Sequence, residues 1–168
     1  MRRTSLVQRL FTLACAIWAL DFLTKNWAVE NLSGAPKEII GSLLRLTLLR
    51  NPGAAFSMAT EFTIIFTTIS LAVALFIARY AARITSPWWA YVAGLVLGGV
   101  LGNLTDRIFR EPGFLYGHVI DWIEIPHWPI FNVADSSIFI AAGIAILLTI
   151  KNISPTATEN NEKSGHNE

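Results

Sequence analysis

Hydrophobic positions along this chain gather into four long runs, and polar positions fill the gaps between them. The runs are LFTLACAIWALDFLTKNWAV (10–29), FTIIFTTISLAVALFIA (62–78), PWWAYVAGLVLGGVLGNL (87–104) and IFNVADSSIFIAAGIAILLTI (130–150). Each approaches the length that crosses a bilayer, about 20 residues and down to roughly 17. Backbone groups in hydrocarbon must find partners within their own segment, so the pattern predicts four transmembrane helices. Between the first two, LLRLTLL (43–49) sets Leu44, Leu46 and Leu48 against Arg45 and Thr47, the alternation of a half-buried strand. It leads into the turn signal RNPGAAFS. The expected fold is an all-α polytopic membrane protein: four transmembrane helices with a small extracytoplasmic β-element between helices 1 and 2. Residues 1–153 make up this domain, and the polar tail 154–168, SPTATENNEKSGHNE, is expected to be disordered in the cytoplasm.

Composition sharpens this picture. An apolar fraction of 53% with only 15% charged residues is high for a soluble domain of 168 residues. A net charge of +1 gives no electrostatic case for a nucleic-acid partner. The single cysteine, Cys15, cannot form an internal disulfide. The start MRRTSLVQRL followed by an apolar run also has the form of a removable leader, and TLAC loosely resembles a lipobox. Thr12 stands where that motif wants an aliphatic residue, and the run continues past Cys15 to Asp21 and Lys25, so a retained first helix is expected. Arg2, Arg3, Arg9, Arg79, Arg83 and Lys151 then place both termini and the middle loop in the cytoplasm.

With that orientation, the polar residues of the spans collect at the outer end. Asp21 and Lys25 lie in the outward half of span one, four apart on one helical face, where they can neutralise each other. Asn103, Asp106 and Arg107 close span three, and Asn132, Asp135 and Ser136 open span four, with Phe139 continuing that side. Ionisable groups inside spans are rare and usually face a bundle interior or a wet cavity, so each is a candidate for function. Helix capping accounts for either asparagine alone, but not for two helices bringing polar patches to one depth. Gly94, Gly98 and Gly102 form a small-residue stripe that permits close helix approach and brings the ends of spans three and four together.

Two chemistries compete for these residues. His118, Asp121, Glu124 and His127 fall at steps of three, a spacing with the look of a metal site. On a helix, positions three apart drift by about 60° per step, so the first and last point in opposite directions. Pro126 also interrupts any helix there, and the strong zinc signatures are absent. No metal or other cofactor is therefore expected. Two carboxylates converging at a membrane-embedded cleft need less: burial and like-charge repulsion raise one acidity constant, and the pair shares a proton near neutral pH. That is aspartic-protease chemistry, with three candidates, Asp106, Asp121 and Asp135, for two places. A proton- or ion-coupled transporter and a non-catalytic scaffold are the other readings of intramembrane acids.

Five motifs occur in order: DFLTK (21–25), NPGAAFS (51–57), GGVLGNLTDR (98–107), GHVIDW (117–122) and FNVAD (131–135). Together they resemble the prolipoprotein signal peptidase family, signal peptidase II, over nearly the whole chain. The resemblance implies an aspartic endopeptidase that removes signal peptides from diacylglyceryl-modified prolipoproteins just before the lipid-bearing cysteine. It implies a catalytic dyad of Asp121 and Asp135, with Asp106 and Arg107 supporting the site. Arg107 and Asn51 would hold the substrate backbone, and Asn103 and Asn132 would orient the dyad or the peptide. Asp21 and Lys25 would be structural or lipid-side residues of the cavity. The implied setting is a bacterial inner membrane with the active site at its outer face. The lipid-modified precursor and membrane lipid are the expected partners of a protein expected to be monomeric. Departures from the family pattern are Phe22 after the first Asp, Pro52, and Glu124 where Asp is frequent. The connection from Arg107 to Asp121 is also longer than in many members, and that from Asp121 to Asp135 shorter.

Overall fold

A computed structural model describes residues 2–53 and 61–156. Its helices are α1 (Arg2–Asn31), α2 (Glu61–Tyr80), α3 (Pro87–Phe109) and α4 (Val133–Ile150). All four are long and apolar enough to cross a membrane. α1 begins well ahead of its apolar run because residues 2–9 contain no glycine or proline to stop it. α3 starts with Pro87 in the first turn, where the missing N–H is no loss, and runs on through Asp106 and Arg107 to Phe109.

The helices turn large apolar side chains outward and polar ones inward. Leu23, Leu75, Phe76 and Ile146 are exposed, whereas Asp21, Lys25, Thr63, Thr67 and Asp106 are buried. That inversion suits a hydrocarbon solvent, in which polar groups must pair inside the bundle.

Glycine sets how closely the helices meet. A Cβ on Gly98 would lie 2.7 Å from Ile17 Cβ and 2.8 Å from the Ala14 carbonyl oxygen of α1. One on Gly102 would collide with the Asp21 carboxylate. The stripe at 94, 98 and 102 thus admits α1, and at Gly102 α4 as well, where the added Cβ would lie 3.2 Å from Ala134 Cβ. Gly99, one residue off the stripe, admits α4: a Cβ there would meet the Ala134 carbonyl oxygen and Ser137 Oγ at 2.5 Å each. The ends of α3 and α4 come together as the spacing suggested, with Gly99 making the tighter approach beside Gly102.

A small antiparallel sheet covers one end of the bundle in the order β1 (Lys37–Ile40), β2 (Leu44–Asn51), β3 (Val119–Glu124). The first two strands lie between α1 and α2; β2 is the strand that the alternation predicts, and β1 pairs with it unannounced by the pattern. The third comes from the α3–α4 connection, which reads as loop-like in sequence. Pairing places Asp121 opposite Leu49 and Val119 opposite Asn51. The Arg45–Glu124 ion pair joins β2 to β3 near the far end of β3. Beyond β3 the chain turns and lies back along it: Trp122 N–H and Ile123 N–H both donate to the Phe131 carbonyl, at 3.0 and 2.9 Å, and Phe131 N–H donates to the Ile123 carbonyl at 3.0 Å. This fold-back delivers the start of α4 beside Asp121. Residues 54–57 of the NPGAAFS motif lie outside the described residues.

Candidate active site

Asn132 is the N-cap of α4, and the spacing Asn-Val-Ala-Asp makes a reciprocal capping box. Its side-chain oxygen accepts the Asp135 N–H at 2.8 Å, while Asp135 Oδ2 accepts the Asn132 N–H at 3.3 Å. The remaining oxygen of Asp135, Oδ1, accepts Asn103 Nδ2 of α3 at 2.8 Å. Both oxygens of Asp135 are therefore held, and its carboxylate is fixed at the first turn of the helix.

Asp121 is fixed from two other directions. Asn51, the last residue of β2, donates Nδ2 to Asp121 Oδ2 at 2.7 Å. Asn132 donates Nδ2 to Asp121 Oδ1 at 2.6 Å. Asn132 therefore touches both acids, through its amide nitrogen on Asp121 and its amide oxygen on the Asp135 backbone. Asn51 is kept in place by its own turn, in which Gly53 N–H donates to Asn51 Oδ1 at 2.8 Å. Asp121 is almost fully buried, and burial raises its pKa from the ordinary 3.8 to about 7. The nearby Asp135 charge adds to the rise, while the Asn51 and Asn132 donors and the more distant Lys25 charge oppose it. Asp121 is thus poised to hold or release a proton near neutral pH.

Behind this pair lies an ion cluster. Lys25 and Asp21 are both fully buried and 2.7 Å apart, and Lys25 Nζ also lies 2.9 Å from Asp106 Oδ2. The two residues of α1 therefore sit inside the bundle, away from any lipid-facing side. Asp106 is further paired with Arg110, whose Nη2 donates to Asn26 Oδ1 at 2.8 Å. Arg110 and Asn26 were not among the residues singled out from sequence; the four-residue spacing of Asp106 and Arg110 is the signal that could have found Arg110.

Arg107 lies on the other side of α3. It is buried, stands 5.8 Å from the Phe66 ring centroid, and is within electrostatic reach of Asp106, Asp121 and Asp135. Its Nη1 has no hydrogen-bond partner among the described residues. A buried guanidinium N–H left unpaired beside two carboxylates is a ready donor to an incoming carbonyl.

A cavity of about 590 Å³ opens against Asp135. Its walls come from the β3–α4 turn (Ile125, Pro126, Trp128, Phe131) and from one face of α4 (Asp135, Ser136, Phe139, Ile140). Trp128 and Phe139 meet edge to face across it, ring centroids 6.1 Å apart. An apolar chamber with the Asp135 carboxylate at its border suits a ligand with a greasy body and a polar reacting centre.

His118, Asp121, Glu124 and His127 lie along a strand and the turn after it, not on one helix. Among the described residues no three His, Cys, Asp or Glu side chains gather as metal ligands.

The sequence matches a family model described as signal peptidase (SPase) II over residues 13–151. It is similar to a lipoprotein signal peptidase of Rhodococcus jostii, 47% identical over 150 residues that cover 89% of this chain and 76% of that one. A second relative, the lipoprotein signal peptidase of Mycobacterium avium, is 48% identical over 145 residues, covering 86% and 78%. The fold resembles two solved structures described as bacterial membrane enzymes. One has a TM-score of 0.75 at 26% identity, covering 85% of this chain and 93% of that one. The other has a TM-score of 0.74 at 25% identity, covering 95% and 94%.

Proposed function

The chain belongs to the signal peptidase II family, and on that premise we propose that it removes signal peptides from diacylglyceryl-modified prolipoproteins with an aspartic dyad, Asp121 and Asp135. The observation that carries this reading is the shared asparagine: Asn132 binds Asp121 through its side-chain nitrogen and the Asp135 backbone through its oxygen, beside an apolar cavity.

The division of labour follows from the surroundings. Asp135, half-buried where Asp121 is fully buried and set in the first turn of α4, serves as the base and takes a proton from the attacking water. Asp121, with its pKa raised to about 7, carries the shared proton and gives it to the carbonyl oxygen as the tetrahedral carbon forms. On collapse the carbon–nitrogen bond breaks, Asp135 returns its proton to the leaving amine, and Asp121 recovers one from the diol. Arg107 and Asn51 hold the peptide backbone on the opposite side from α4. The cavity beside Asp135 accepts apolar parts of the substrate, so cleavage falls before the lipid-modified cysteine. The site works at the outer face of the bacterial inner membrane, a reading supported by the basic residues near the termini and in the α2–α3 turn.

Purified protein incubated with a diacylglyceryl-modified precursor should release the signal peptide and leave a product beginning at the modified cysteine. Asp121→Asn and Asp135→Asn should each abolish turnover while the protein stays extractable and folded. Cleavage near the wild-type rate by either variant refutes the dyad; equal rates on unmodified precursor refute the lipid requirement.

A further inference from the structure

The Lys25 ammonium donates a hydrogen bond to Asn103 Oδ1 at 2.8 Å and is ion-paired with two buried acids, Asp21 Oδ2 at 2.7 Å and Asp106 Oδ2 at 2.9 Å. Each partner leads to the dyad. Asp21 Oδ1 accepts the N–H of Ala134, the residue before Asp135, at 2.9 Å. Asp106 Oδ2 accepts the N–H of Ile120, the residue before Asp121, at 3.1 Å. Asn103 Nδ2 donates to the Asp135 carboxylate itself.

The third path is chemically selective. An asparagine amide presents an acceptor at one end and a donor at the other, and the two ends have nearly the same shape. An ammonium donates and never accepts, so Lys25 must hold the oxygen of Asn103 and leave the NH2 to face Asp135. Asn132 Nδ2, 3.2 Å from the same oxygen, reinforces this choice but is already committed to Asp121. With the ammonium gone, a half-turn of the amide would aim its oxygen at a carboxylate and unseat the base. An ion pair that merely eased the burial of Asp21 would have no such consequence.

We infer that Lys25 is a positioning residue for catalysis: it fixes the Asn103 amide so that its NH2 holds Asp135. This rests on the aspartic-dyad reading, and the experiment separates the two.

The single substitution Lys25→Met would strand Asp21, so the test uses the charge-balanced pair Asp21→Asn/Lys25→Met, in which residue 21 still offers an oxygen to Ala134. Steady-state cleavage of diacylglyceryl-modified precursor is measured for wild type, the pair, Asn103→Ala, the pair in the Asn103→Ala background, and Asp121→Asn. The pair should lose about tenfold to a hundredfold in kcat with KM changed by less than about threefold, the size expected for a misplaced catalytic group. In the Asn103→Ala background the pair should change kcat by less than about twofold, because the path through Asn103 is already cut. A pair with wild-type kcat, or the same loss recurring in the Asn103→Ala background, would overturn the inference. An active Asp121→Asn would instead overturn the dyad reading, and this inference with it.

Discussion

Replacing Asp121 with asparagine should abolish turnover and at the same time remove a pH-dependent weakness of the fold. The folded-state pKa of about 7 lies above the ordinary 3.8. Between those values the folded chain holds a proton that the unfolded chain has released, so the contribution of Asp121 to stability falls as pH rises through that window. At about pH 5 the folded carboxyl is protonated and the unfolded one almost fully ionised. By about pH 8.5 both are ionised, and the folded state carries the full penalty of a buried charge. The interval from about pH 5 to the folded pKa spans two pH units, at about 1.4 kcal/mol each, so wild type should lose about 3 kcal/mol relative to Asp121→Asn. The asparagine also forfeits a hydrogen bond to Asn51 or Asn132, but that loss is the same at both pH values and cancels in the comparison. Thermal unfolding in detergent, followed by tryptophan fluorescence, measures the difference directly. By the scaling of soluble domains of this size it amounts to roughly 6–12 °C between the two pH values. Equal pH dependence for wild type and Asp121→Asn would refute the account, because it would mean that Asp121 titrates in the folded chain as it does in the unfolded one.

Two further substitutions probe different parts of the structure. Arg107→Lys keeps the charge but loses the planar fork and the N–H that has no partner among the described residues, so KM for the precursor should rise by about tenfold with a smaller change in thermal midpoint; an unchanged KM would remove Arg107 from substrate binding. Gly98→Leu should destabilise by about 1–3 kcal/mol or more, because its Cβ meets the Ala14 carbonyl oxygen and Ile17 Cβ at under 3 Å. Gly143→Ala, with nothing within 4 Å of the new Cβ, is the matched control and should be neutral or slightly stabilising in the same unfolding assay.

The four helices are legible in the sequence because their apolar runs are long and few turns interrupt them. The strand bearing Asp121 is not. Val119, Ile120 and Asp121 are all buried, so the alternation that marks a half-exposed strand is missing. Its partner, β2, lies about seventy residues earlier in the chain, beyond the reach of local pattern. The Asp21–Lys25 pair is visible at once as a four-residue spacing on one helix. Its connection to Asp106 and Asn103 is not, because it depends on α1 reaching the inner face of α3, which Gly98 and Gly102 permit. Asn132 carries a double signal: Asn-Val-Ala-Asp reads as a helix cap, and it is one. Capping alone does not reveal that the same amide also binds an acid on a strand.

In a water-soluble enzyme the hydrophobic core and the active site can be separated, and a mutation in one often spares the other. Here buried polar residues share the interior at this end of the bundle with the apolar cluster of Ala28, Leu32 and Ile120. The hydrogen bonds that let Asp121, Asn132 and Lys25 be buried are the ones that orient the acids. Stability and chemistry therefore oppose each other at Asp121, where burial raises the pKa and strains the ionised fold. They run together at Lys25, where the charge that neutralises two buried acids also sets an amide the right way round. Loss of activity at this site cannot by itself be assigned to lost folding or lost chemistry. The two are separated by the sign of the stability change, which should be positive above neutral pH for Asp121→Asn and negative for Gly98→Leu.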